Sequence, residues 1–295
     1  MNGVWSYYRS SDHDGRDEHG DDHTMRDGCH RAPGSWARQS FLPDNTSRTV
    51  GSRADSFDPT LDYHMSACAG ATTRNLLPGG SGQYQEGQQP DQGFLDQYTT
   101  LITFSAGGND ARFTGIFKQC IASITVCQDQ VFENDGEPLS TAEPKKIDQI
   151  GPALQTVLSS LRDPRRAPNA KILVMGYPVL LELDGECFPG IGTPEAPWIN
   201  EMNNRLDDVL RTAVANSRAA GIPATWADPR PAFAGRGACA DDRAGAPSGT
   251  ELLHRSVLTL TRGDAPALVS QQTLHPTVQG AQVYAQVATA AISGM

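Results

Sequence analysis

Tyr98 to Ser105 reads YTTLITFS and runs directly into Ala106-Gly107-Gly108-Asn109-Asp110. β-Branched and aromatic residues crowd the first part and glycines the second, the mark of a buried strand that ends in a tight loop. An amphipathic helix is expected next, because Ile147, Ile150, Leu154, Val157, Leu158 and Leu161 recur at helical spacing and Asp163-Pro164 stops them. The alternation then repeats. Lys171 to Leu180 (KILVMGYPVL) reads as a second buried strand, and Ile199, Met202, Leu206, Val209, Leu210, Ala213 and Val214 as a second helix, closed by Gly221-Ile222-Pro223. Ala224 to Ala227 is a third, short strand, and Val278 to Ile292 a terminal helix introduced by His275-Pro276-Thr277. Strands alternating with helices are the sequence form of an α/β layer on a mainly parallel sheet.

The 295 residues, 38% of them hydrophobic, suffice for a substantial core, and one domain over residues 1–295 is expected. Residues 10–28 form a polar insertion: Asp, His, Arg and Gly dominate, so the stretch buries nothing and reads as a solvated loop. His13, His19 and His23 in it are metal-ligating types, but their irregular spacing fixes no coordination geometry, and no metal site is expected. Leu77 to Gln92 reads as a second polar loop. A net charge of -10 excludes nucleic acid or an anionic membrane held by broad electrostatics. No apolar run approaches the roughly 18 residues of a bilayer-spanning helix. The six cysteines, Cys29, Cys68, Cys120, Cys127, Cys187 and Cys239, lack a C-x2-C pair, which disfavours zinc and permits three disulfides with every pairing open.

Three short clusters fall in loops at strand ends, where an α/β fold places its chemistry. In Gly107-Gly108-Asn109-Asp110, a tight glycine turn can aim the Asn109 amide at a developing oxyanion, although the same residues also make a plain turn. Ser66 to Thr73 is a run of small residues in which Gly70 offers an unobstructed backbone N–H. Leu274-His275-Pro276-Thr277, with Gly280 beyond, puts a histidine just before a helix, in the position of a general base.

Taken together, the clusters resemble the SGNH (GDSL) hydrolase family, in its actinobacterial secreted lipase and esterase branch. Cys29-His30-Arg31 resembles that branch's C-H-R-S segment, ACAGATT at Ala67 to Thr73 its A-C-S-G-A block, and GGND at Gly107 to Asp110 its G-x-N-D block. VMGYPVL at Val174 to Leu180, DPRPAFAGRGAC at Asp228 to Cys239 and LHPTVQG at Leu274 to Gly280 continue the series in order. The resemblance implies a three-layer α/β/α, flavodoxin-like fold and carboxylic ester hydrolysis through a serine acyl-enzyme, with no cofactor. It also implies a small or lipidic ester substrate, a secreted monomer, and bridges Cys29–Cys68, Cys120–Cys127 and Cys187–Cys239. The Gly70 N–H and the Asn109 side chain become oxyanion donors and His275 the base. Family members usually carry Asp three residues before that histidine; here Gln272 stands there, and its backbone carbonyl is expected to orient His275.

The family's nucleophile is the serine of a Gly-Asp-Ser block, and this sequence contains none; Gly263-Asp264 is followed by Ala265. Met1-Asn2-Gly3 resembles the tail of that block, so the first strand and the serine are expected to be missing by truncation, leaving an open strand edge. Ser6, Ser10 and Ser11 lie on no strand-to-turn elbow and make poor substitutes. Two rival readings follow: a nucleophile-less pseudoenzyme or binding module of the same fold, and a metal-dependent hydrolase using the Asp12 to His23 loop. Arg236, where relatives commonly carry His, has no mechanism in the sequence.

Overall fold

The computed structural model describes residues 29, 31–84, 86–182, 188, 190–242, 245–255 and 273–295. Among these, β1 (Leu101–Phe104), β2 (Lys171–Met175) and β3 (Ala224–Ala227) form one sheet in that order, with every neighbour parallel. Ile102 pairs with Ile172, and Ile172 in turn with Ala224. Parallel neighbours need long crossovers, and helices supply them. After α1 (Trp36–Gln39) and α2 (Val50–Asp55), α3 (Phe113–Ala122) and α4 (Leu139–Leu161) link β1 to β2, and α5 (Glu195–Ala219) links β2 to β3. The short α6 (Arg230–Phe233) and the terminal α7 (Val278–Ser293) follow.

The period of the strand sets the layers. Ile172 and Val174 of β2 join the core that holds Ile150 and Leu154 of α4 and Leu206 and Leu210 of α5. Leu173 and Met175 point the other way, into the core that holds Tyr284, Ala288 and Ile292 of α7. All four strand side chains are fully buried, each contributing about 1.5–3 kcal/mol of hydrophobic stabilisation. The sheet is therefore the middle of three layers. β1 is half-buried throughout and, among the described residues, pairs along one edge only.

Element boundaries shift from the sequence expectation for identifiable reasons. β1 begins at Leu101, because the Asp96 carboxylate accepts the Tyr98 and Thr99 N–H groups at 2.9 and 3.0 Å and holds those residues in a turn. β2 ends at Met175: Gly176 makes its sheet bond to the Ala227 carbonyl, and a Cβ at Gly176 would lie 2.5 Å from Trp226. The helix expected from Ile147 starts at Leu139, although Pro144 and Pro152 each remove a donor from it. Buried Leu139 and the ion pair of buried Glu143 with Arg112, at 2.6 Å, anchor the extra turns. Thr277 caps α7 by accepting the Gly280 N–H at 3.0 Å.

α7 runs against the strands. The Met295 carbonyl at its end accepts from Lys171 Nζ, at the start of β2, at 2.7 Å, while the Tyr284 hydroxyl reaches the Gly176 carbonyl beyond the end of β2. Its N-terminus, and with it His275, therefore lies at the carboxyl edge of the sheet.

Disulfides join Cys29 to Cys68 and Cys120 to Cys127. Cys239 is also disulfide-bonded, and Cys187, its expected partner, lies outside the described residues. So do the 10–28 insertion with His13, His19 and His23, the serines Ser6, Ser10 and Ser11, and Gln272. The Leu77 to Gln92 loop carries one short 3-10 turn, Gln89–Asp91, and is pinned by a buried two-pronged pair between Arg31 and Glu86.

Candidate active site

Beyond β1 the chain turns over the carboxyl edge at Gly107-Gly108-Asn109-Asp110. Gly107 takes φ +115°, which strains any side chain, and a Cβ there would also press on Leu206, Ile150 and Leu210 at 3.3–3.4 Å. The Ala111 N–H closes the turn on the Gly107 carbonyl at 2.8 Å, and the Arg112 N–H closes on Asn109 at 3.1 Å. The Gly108 N–H donates to the Tyr177 hydroxyl at 2.9 Å, tying this loop to the one after β2.

The small-residue loop is fastened directly against it. Asn109 Nδ2 donates to the Ala71 carbonyl at 3.0 Å, and the Asp110 carboxylate accepts both the Thr73 N–H and, at 2.6 Å, the Thr73 hydroxyl. Gly70 sits at φ +73° in the turn that the Ala71 N–H closes on Cys68, with the Cys29–Cys68 bridge at its start. The Gly70 N–H makes no hydrogen bond among the described residues, and both Gly70 and Asn109 are solvent-exposed. An amide nitrogen carries two donors, so the bond to Ala71 fixes the Asn109 side chain and leaves one N–H to spare.

His275 stands on a β-bulge. The His254 N–H donates to the His275 carbonyl, and the Leu274 N–H to the His254 carbonyl, both at 2.9 Å, so Leu274 and His275 together oppose His254. Leu274 takes φ +61°, the left-handed conformation such a bulge demands of its first residue and one that costs a side chain of this type energy. His275 Nδ1 lies 3.2 Å from the Thr273 carbonyl, a backbone acceptor one residue nearer than the Gln272 carbonyl expected from the sequence. Solvent reaches His275, yet the protein packed around the ring pushes its pKa below the ordinary histidine value, and the Thr273 carbonyl partly opposes that shift. The pKa of His254 is lowered too, by burial first and then by the His275 charge.

Arg236 gains a role the sequence did not disclose. Its carbonyl accepts the Leu252 N–H at 2.8 Å and its Nε donates to Thr250, so it braces the segment that pairs with the histidine loop. Asp110, Thr73 and Tyr177 also escaped the sequence reading. All three lie inside motifs already singled out, but their role is visible only once separate loops meet.

The structure thus brings the Gly70 and Asn109 loops into direct contact and sets His275 at the same edge of the sheet. No hydrogen bond among the described residues joins His275 to either loop. Among the described residues no group of three or more His, Cys, Asp or Glu side chains has the arrangement to hold a metal ion.

A three-layer sandwich with a parallel sheet, an Asn-bearing glycine turn, a facing small-residue loop and a histidine ahead of the last helix define a domain of the SGNH hydrolase class. The chain belongs to the GDSL-like lipase/acylhydrolase family, whose model matches residues 27–283. It is 30% identical to Lipase 1 of Streptomyces coelicolor and 26% identical to a lipase of Streptomyces rimosus, in each case over 74% of this chain and 65% of the relative. The match therefore spans just under two thirds of the length of these curated relatives. Its fold is similar to the crystal structures of phospholipase A1 from Streptomyces albidoflavus NA297 (TM-score 0.63, 21% identity, 96% of this chain and 95% of that one) and of an extracellular lipase from Streptomyces rimosus (TM-score 0.57, 21% identity, 97% and 95%).

Proposed function

We propose that this chain is the scaffold of a secreted carboxylic ester hydrolase, acting on small or lipidic esters by serine acyl-enzyme chemistry. The carrying observation is the pair of bonds, Asn109 to Ala71 and Asp110 to Thr73, that hold the loops bearing Gly70 and Asn109 against each other at the carboxyl edge of the sheet. A serine oxygen attacks the ester carbonyl, and the oxyanion that forms accepts from Gly70 N–H and Asn109 Nδ2. His275 takes the serine proton and returns it to the leaving alcohol. Its lowered pKa keeps the imidazole neutral, and so competent as a base, at neutral pH. A backbone carbonyl orients the ring in place of an acid. The steps require neither metal nor organic cofactor.

The nucleophile is the missing member, since no Gly-Asp-Ser occurs in the sequence. In this reading a Gly-Asp-Ser strand lies along the edge of β1 that pairs with no described residue and delivers its serine beside Asn109. The second reading is a pseudoenzyme or binding module of the same fold that keeps the donors without the nucleophile. The disulfides Cys29–Cys68 and Cys120–Cys127 favour an oxidising, extracellular setting.

Hydrolysis of a short p-nitrophenyl ester is the test, using this chain, a version extended at its N-terminus by a Gly-Asp-Ser strand, and the extended version carrying His275→Ala. Activity in the unmutated extended chain alone is expected. Equal activity in all three rejects the site, and none in any favours the binding-module reading.

A further inference from the structure

The conformation of the Asn109 loop is set from outside the loop. Asn200, Asn203 and Asp207 recur on one face of α5 at helical spacing, and each grips the backbone that continues β2. Asn200 makes a two-way pair with the Leu181 main chain, Nδ2 to the carbonyl at 2.8 Å and Oδ1 from the N–H at 3.2 Å. Asn203 Nδ2 donates to the Pro178 carbonyl at 2.8 Å, and Asp207 Oδ1 accepts the Tyr177 N–H at 2.9 Å. Asn203 and Asp207 are almost completely buried. Polar groups are costly inside a protein unless they hold something, and these hold an irregular segment that leaves the sheet at Gly176.

Tyr177 passes that placement on. Its hydroxyl accepts the Gly108 N–H, one residue before Asn109, and its ring fills the space where a Cβ at Gly108 would stand, 3.0–3.1 Å away. The donor of the oxyanion loop is thus supported on one side by Ala71 and underneath by Tyr177. We propose that Tyr177 is a positioning residue of this loop, its hydroxyl a strut that carries the anchorage of Asp207 and its α5 neighbours through Gly108 to Asn109. The catalytic consequence rests on the ester-hydrolase reading; the strut itself does not.

Amide exchange followed by NMR on this chain tests the strut without requiring activity. Tyr177→Phe keeps the ring and deletes the acceptor; Gly108 should then exchange about tenfold faster or more, while the β2 amides of Ile172 to Val174 keep their protection. Asp207→Ala, which releases Tyr177 from below, should reproduce the pattern, and Asp207→Asn, which retains an acceptor for the Tyr177 N–H, should restore slow exchange. In the form extended by a Gly-Asp-Ser strand, Tyr177→Phe should lower kcat about tenfold at unchanged KM. Unchanged Gly108 exchange in a folded Tyr177→Phe protein overturns the proposal. Faster exchange with kcat intact leaves the strut standing and overturns its catalytic consequence. An extended chain that is inactive without any substitution counts against the ester-hydrolase reading instead, and the exchange result still decides the strut.

Discussion

Asn109 commits one amide proton to Ala71 and has a second to offer, so in the proposed reaction its worth is that of a single fixed donor. In the nucleophile-bearing form, Asn109→Ala should lower kcat by about 10² to 10³ with a smaller effect on KM, as measured by steady-state ester hydrolysis. His275 supplies a pH signature. Because the protein packed around the ring lowers its pKa from the ordinary histidine value, the rising limb of kcat/KM against pH should have its midpoint below pH 6.5, and a midpoint above that value would contradict the shift. Asp207 offers a second one, in stability. Burial pushes its carboxyl up to about 7, while the N–H of Tyr177 and the charge of Arg230 pull it down and the charges of Asp228 and Asp208 push it further up. The phenol of Tyr284 also feels its charge. A raised carboxylate means that the folded state holds the proton more tightly than the unfolded one. The stabilisation is therefore complete below the unfolded value near 3.8 and is lost as pH rises through about 7. Tm measured from pH 5 to pH 9 should fall in the parent and stay flatter in Asp207→Asn; parallel curves would contradict the assignment.

Elements convert these local arrangements into a rigid site. Arg112 follows the Asn109 loop directly, takes φ +53° as the N-cap of α3, and reaches Asp135 at 2.8 Å and buried Glu143 on α4 at 2.6 Å. Burial raises the pKa of Glu143, and the Arg112 charge and hydrogen bond resist that rise. Removing one partner of such a pair leaves an uncompensated buried charge, so Arg112→Ala should cost about 3–5 kcal/mol in urea denaturation, and Arg112→Ala with Glu143→Leu should recover much of it. The elements also show where sequence reasoning stops. The apolar periodicity of α4 from Ile147 to Leu161 was legible, but its first turns are stabilised by Glu143 reaching Arg112, a contact between residues far apart in the chain. The α5 ladder of Asn200, Asn203 and Asp207 hides in the same way. Polar residues on a helix read as a solvent face until the fold turns that face inward.

The whole molecule is closed by its covalent links as well as its core. Cys29–Cys68 spans 39 residues and Cys120–Cys127 spans 7, so removing the longer bridge should destabilise the protein by about 1.5 kcal/mol more than removing the shorter one if unfolded-chain entropy dominates. Paired Cys-to-Ala variants compared by chemical denaturation give the difference directly. At this scale the sequence by itself determined the alternation of strand and helix, hence a parallel α/β sheet, because hydrophobic period is a local property of the chain. It also singled out the loops of the proposed donors and base, since Gly107, Asn109, Gly70 and His275 stand in short motifs whose residue types suit that chemistry. Only the tertiary structure decided that Asp110 clasps Thr73, that Tyr177 stands beneath Gly108, that the Thr273 carbonyl lies 3.2 Å from His275 Nδ1, and that His254 opposes a bulge at Leu274. Each of these joins segments whose meeting depends on how three layers pack, or on a backbone angle that packing imposes, and neither is written in the local order of the residues.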